Sequence, residues 1–109
     1  MTTQQTIDLI VRAIETKTPI SAIYDGHVRV LCPHVVGHKN DVLNMLAYQS
    51  GGESSSGPVR VGSGHIQNWR CMQVAKLKDV SFTSGDWATA ENHSTPSKCV
   101  DQIIAQVKF

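Results

Sequence analysis

No stretch of this sequence is apolar for long enough to cross a bilayer as a helix, so no membrane partner is expected. The opening Met1-Thr2-Thr3-Gln4-Gln5 has neither a basic start nor an apolar run, which predicts no secretory leader. Cysteine is scarce and odd in number. Cys32, Cys71 and Cys99 stand far apart with no close pairing, a pattern that predicts reduced thiols and a cytoplasmic setting. Net charge is almost absent at +1, and no internal repeat is visible. A length of 109 residues suits one modest core, so a single domain over 1–109 is expected.

What charge there is lies unevenly. Between Gly26 and Lys78 stand Arg29, Lys39, Arg60, Arg70, Lys76 and Lys78 against only Asp41 and Glu53, while both flanks are acidic. Four of the five histidines share that middle segment. A basic centre suits an anionic ligand better than a neutral one. The competing reading is that these cations are simply solvated.

The apolar positions Ile7, Ile10, Val11 and Ile14 recur at helical spacing, with Gln5, Asp8, Arg12 and Glu15 opposite them. This predicts an amphipathic helix over about 5–16, stopped by Pro19. Next come two strand-forming runs, Ile20–Tyr24 and His27–Cys32, joined by Asp25-Gly26, a pair that favours a type I′ hairpin turn. In such a hairpin Tyr24 stands opposite His27, and Arg29 lies on the same face. The alternation places Ile23, Val28, Val30 and Cys32 toward the core and Ala22, Tyr24, His27 and Arg29 outward. Pro33 is expected to end the second strand and Gly37–Asp41 to form a turn.

A third strand is expected over Val42–Tyr48, then a long polar stretch from Gln49 to Gly64. Trp69–Val74 and Lys76–Phe82 read as two strands in near-continuous succession, as happens where a bent strand crosses between sheet edges. Thr95-Pro96 resembles a helix start, with Val100, Ile103, Ile104 and Val107 at helical spacing. Their β-branching leaves a closing strand as the alternative, and the spacing favours the helix. The fold class that follows is mainly β: a small SH3-like or Sm-like antiparallel barrel with an N-terminal helix and a C-terminal one.

The order Ala13-Ile14, Tyr24-Asp25-Gly26, Arg29, Pro33-His34, Gly37, Leu46-Ala47-Tyr48-Gln49, Gly52–Gly57 and Trp69-Arg70 resembles the WYL domain family, specifically its short stand-alone members. The resemblance covers roughly Ile7 to Phe82. It implies an Sm-like or SH3-like barrel with a leading helix. It also implies ligand sensing of the kind associated with bacterial regulators, often for a nucleotide or nucleic acid. Carried over, it marks Tyr24, Arg29, Tyr48 and Arg70 as ligand contacts. The chain departs from the pattern in two places: Asn44-Met45-Leu46-Ala47-Tyr48 replaces the eponymous tripeptide, and Gln73 stands where a second arginine is usual, with Lys76 as a substitute cation. Only one helix precedes the first strand, which argues against a DNA-binding transcription factor.

Arg29 and Arg70 can hold a phosphate or carboxylate through paired N–H bonds, and Tyr24, Tyr48 and Trp69 can stack a base. His34 either orients a ligand or braces the strand end through its ring nitrogens. The competing reading pairs Arg29 with a local acid such as Asp25 and lets the aromatics fill the barrel. Cys32, His34 and His38 have poor zinc spacing and no fourth ligand, so no metal and no cofactor are expected. A Cys32–His34 nucleophile has neither an oxyanion hole nor an orienting acid, so no catalytic residue is assigned. The expected function is therefore a non-catalytic, regulatory module for an anionic small molecule or single-stranded nucleic acid. The alternative is an assembly module whose edge strands pair into a homo-oligomer.

Overall fold

The computed structural model describes residues 2–52, 64, 68–90 and 99–107. The Gly52–Gly57 loop beyond its first residue, most of the Gln49–Gly64 stretch and the Thr95-Pro96 helix start fall outside them. Helix α1 spans Thr3–Thr16 and opens with a capping box: the Thr2 hydroxyl accepts from Gln5 N–H, and the Gln5 side chain accepts from Thr2 N–H. It closes on Lys17, left-handed at φ 51°. Strands follow as β1 (Ile20–Tyr24), β2 (His27–Lys39), β3 (Val42–Gly52), β4 (Trp69–Gln73), β5 (Lys78–Phe82) and β6 (Gln102–Gln106). A single 3-10 turn, Val74–Lys76, links β4 to β5.

All pairings are antiparallel, in the order β4-β3-β2-β1-β5, and β6 also pairs with β2. Thus β4 and β5 lie at opposite ends of the path, yet one short turn joins them. The sheet must curl to allow this. Among the described residues β4 and β5 do not pair with each other, so the curled sheet stays open. The Tyr24 hydroxyl bridges from β1 to β4, accepting from Gln73 N–H at 3.1 Å.

The β1–β2 hairpin forms as expected, with Tyr24 opposite His27 and positive φ at both Asp25 and Gly26. Its facing is the reverse of the expectation, except that Cys32 is buried as expected, in a second cluster. Ile20, Ala22 and Leu31 are buried in the main core, whereas Val28 is 50% exposed. The physical reason is α1: its Ile10, Ala13 and Ile14 pack into the cluster that contains Ile20, Ala22, Leu31, Val36, Met45 and Met72. Val28 and Val30 offered as much apolar surface as that face, so alternation alone could not choose between the two.

Strand β2 does not end at Pro33. It continues to Lys39, because Pro33 falls between Leu31, the last residue paired with β1, and Val35, the first paired with β6. Neither β1 nor β6 therefore lies opposite the missing N–H, and on the other side Pro33 pairs with Ala47 of β3 next to a bulge. The turn expected over Gly37–Asp41 narrows to Asn40 and Asp41, at φ 50° and 64°. Gly37 belongs to the strand, and its reason is steric. A Cβ there would run into the Gln102 carbonyl and lie 2.6 Å from Val100 Cγ1. Gly37→Ala should push β6 off β2 and cost about 1–3 kcal/mol in a urea melt; a change below about 0.5 kcal/mol would deny that close approach.

The expected C-terminal helix is a strand. Ile103 and Ile104 follow their β-branched preference, and β6 pairs with Val35–His38, with Val107 just beyond its end. The expectation of three reduced thiols is also corrected: Cys71 on β4 is disulfide-bonded to Cys99, and only Cys32 is free. A sequence separation of 28 residues gave no sign of that pairing.

Candidate functional site

The concave face gathers side chains from four strand ends. Tyr24 closes β1, Arg29 lies near the start of β2, Gln49 lies near the end of β3, and Arg70 lies near the start of β4. Register explains the convergence. Arg29 pairs with Ala22, Gln49 pairs with Leu31, and Arg70 pairs with Ala47, all of them on the core side. Across a bulge between Val30 and Leu31, Gly52 stands opposite Arg29 and Gln49 opposite Leu31, two residues further along β2 on the same face.

Arg29 is where the structure departs most from the sequence expectation. Its side chain was expected to be solvent-facing, and it is 3% exposed. Asp25 does not neutralise it. Among the described residues the ion pair is Lys39–Asp101 at 3.8 Å, and Arg29 has no carboxylate within such reach. The Arg29 Nε–H donates to the Tyr24 carbonyl at 3.3 Å, and Nη1 donates to Gln49 Oε1 at 3.5 Å, both long bonds. Its Cζ sits 5.3 Å from the Tyr24 ring centroid, within cation–π range. Nη2 is buried and has no hydrogen-bond partner among the described residues. Gln49 is fixed in turn, donating through Nε2 to the Gly51 carbonyl.

Arg70 is half-buried and donates through Nη1 to the Trp69 carbonyl at 3.1 Å. Burial lowers its pKa from the ordinary arginine value, and repulsion from Arg29 lowers it further. Register thus places both arginines on the inner side of the sheet, near enough for their charges to interact.

Tyr48, Trp69 and His34 lie apart from this pair, on the opposite face. Strand alternation sends neighbours Trp69 and Arg70 to different sides. Tyr48 is fully buried with Cys32, Ala88 and Ala90, and Trp69 packs edge-on against it at 5.5 Å. His34 is fully buried at the bulge, between Trp69 (4.7 Å) and Trp87 (4.8 Å). Its Nδ1–H donates to the Cys32 carbonyl at 2.7 Å, so Nε2 accepts from the Thr89 hydroxyl at 2.9 Å. Of its two foreseen roles, this geometry matches the bracing one: His34 ties the 87–90 segment to the sheet.

Lys76 lies in the 3-10 turn and lines an open groove of about 400 Å³ with Ile23, Asp25, Gly26 and Lys78. Of the seven predicted ligand residues, then, Tyr24, Arg29 and Arg70 come together, Tyr48, Trp69 and His34 form a packed layer behind them, and Lys76 stands at a groove by the hairpin tip. Gln49 and Trp87 were missed. Trp87 is an aromatic side chain in an otherwise polar run, which is a usable signal of anchoring; Gln49 gave none.

The buried Cys32 thiol is pushed up by burial, against the opposing bonds from Ala88 N–H and to the Ser50 hydroxyl. That holds it protonated and weakly reactive. Among the described residues no three His, Cys, Asp or Glu side chains group closely enough to hold a metal ion. No helix is long and apolar enough to span a membrane. Comparison of the chain with protein-family models, curated proteins and solved structures finds no match.

Proposed function

We propose that this chain is a non-catalytic module that binds an anionic ligand, such as a nucleotide or a short single strand of nucleic acid, through Arg29 and Arg70 with Tyr24 beside them. One observation carries the reading: the Arg29 guanidinium is buried, keeps an unused donor at Nη2, and meets no carboxylate among the described residues. A buried cation without a counter-charge costs several kcal/mol, a cost an incoming anion offsets. Burial also means the ligand must displace covering groups, with the half-buried Arg70 as first contact. An SH3-like or Sm-like barrel of the WYL type fits the proposal, because its strand ends converge at a mouth where such a pair would sit. A cytoplasmic setting was expected from the cysteine pattern; the Cys71–Cys99 bond favours an oxidising one.

Titration of the folded protein with nucleotides and short oligonucleotides tests this. Amide shifts should move at Tyr24, Arg29, Gln49 and Arg70, and affinity should fall steeply with salt if phosphates dominate. Unmoved shifts at those four residues would remove the reading. The assembly alternative draws on β6, where Ile103 and Ile104 are 47% and 46% exposed. A stable dimer by solution mass, broken by Ile104→Lys, would favour it.

A further inference from the structure

We infer that Cys71 is a thiol–disulfide exchange site, where a low-molecular-weight thiol opens the bond to Cys99 while the chain stays folded. The site is separate from the proposed anion site. Cys71 follows Arg70 on β4 but pairs with Leu46 of β3, on the outer face, whereas Arg70 pairs with Ala47 on the core side. The two ends of the bond differ in access. Cys71 is exposed, on a strand whose one partner among the described residues is β3. Cys99 is 3% exposed and packs with Val35, Val100 and Leu46. Exchange begins when a thiolate reaches one sulfur of the bond, so access directs the attack to Cys71.

In the first step the small thiolate forms a bond to Cys71 Sγ and the Cys71–Cys99 bond breaks. The electron pair of that bond leaves on Cys99 Sγ, which takes a proton from water. The product is a mixed disulfide at Cys71 and a thiol at Cys99, with no net oxidation. A second small thiolate attacks the outer sulfur of the mixed disulfide and releases Cys71, so two small thiols become one small disulfide and the protein bond is reduced. The small disulfide closes the bond again by the reverse steps. The fold keeps both cysteines in place meanwhile. Asn44 donates to the Cys99 carbonyl at 2.9 Å, Asp101 N–H donates to the His38 carbonyl at 2.7 Å, and β3 holds β4 through five residue pairs, Tyr48–Trp69 to Asn44–Gln73. Cys99 therefore stays beside Cys71 and can attack the mixed disulfide to expel the small thiol. Cys32, the third cysteine, is buried and takes no part.

The test treats the full, folded chain with 2-mercaptoethanol, quenches with acid and locates the adduct by peptic digestion and mass spectrometry. The adduct should sit on Cys71 in at least roughly tenfold excess over Cys99, and the preference should vanish in denaturing urea. The opening rate should rise in proportion to thiol concentration. An adduct shared equally or found chiefly on Cys99 overturns the inference. So does an opening rate that stays at the rate of global unfolding whatever the thiol concentration. Single variants give an independent reading with an aromatic disulfide reagent under native conditions. Cys99→Ala leaves Cys71 as a thiol and should react roughly a hundredfold faster than Cys71→Ala, which leaves Cys99. Equal rates in two variants that both melt cooperatively would also overturn it, and the anion site would stand unaffected.

Discussion

Replacing Arg29 by methionine should stabilise the protein. The side chains are similar in volume, and methionine adapts to irregular space, so the packing around Ala22 and Gln49 survives. The variant loses two long hydrogen bonds, to the Tyr24 carbonyl and to Gln49. Against that loss it removes a buried guanidinium whose Nη2 is unsatisfied and which repels Arg70. Gln49 keeps its bond to Gly51. The balance favours the variant by about 1–3 kcal/mol, a rise in melting temperature of roughly 5–15 °C. Anion affinity should fall at the same time. A site that gains stability when its central residue is removed is a site kept for binding. A fall of 3 kcal/mol or more would instead mark Arg29 as part of the packing, in the range found when a buried partner is removed.

The second large effect belongs to the Cys71–Cys99 bond. It closes a loop across a sequence separation of 28 residues, which restricts the unfolded chain enough to contribute about 3–4 kcal/mol. Reduction with a dithiol, or the double change Cys71→Ala and Cys99→Ala, should remove most of that and lower the melting temperature by roughly 15 °C. The fold should persist, because other ties hold the same segment. Asn44 donates to the Cys99 carbonyl at 2.9 Å, Asp101 N–H donates to the His38 carbonyl at 2.7 Å, and β6 pairs with β2. Shift changes should concentrate at Leu46, Cys71 and Val100, around the lost bridge. Thiol counting on the native protein gives an independent check: one free cysteine is expected, Cys32, and it should react only after unfolding.

Local signals in the sequence were legible where one physical choice dominated. The helix had a clean stripe, and the Asp25-Gly26 turn had a single favoured geometry, so α1, β1 and the hairpin register were readable. The crossing from β4 to β5 was readable as well, from two adjoining strand-like runs around Val74–Lys76. Facing was not. Val28 and Val30 compete with Ile20, Ala22 and Leu31 on apolar content, and only the docking of α1 decides between the faces. Pro33 misled for a related reason: proline blocks a ladder bond, but here β1 has ended and β6 has not begun. The C-terminal segment carried both a helical spacing and β-branched residues, and an available edge on β2 settled it as strand.

The candidate site was half legible. Tyr24 and Arg29 stand together, as the hairpin required, and Arg70 joins them through the β3–β4 register. That Arg29 would be buried was hidden by the facing error. Tyr48, Trp69 and His34 were chosen as chemistry-bearing types, yet a bulge at His34 and simple alternation at Trp69 place them in a layer closed by Trp87 and Ala88. Neither feature can be read without knowing strand partners.

Anion binding at the Arg29 guanidinium is the step on which the proposed function depends. The most direct measurement is the nitrogen-15 NMR signal of its Nε–H in the folded protein, followed as inorganic phosphate is added. The account predicts a saturable shift of that resonance, together with Arg70 Nε–H, that is reversed by salt. A signal that stays fixed through millimolar phosphate, with the Arg70 signal equally still, would contradict it.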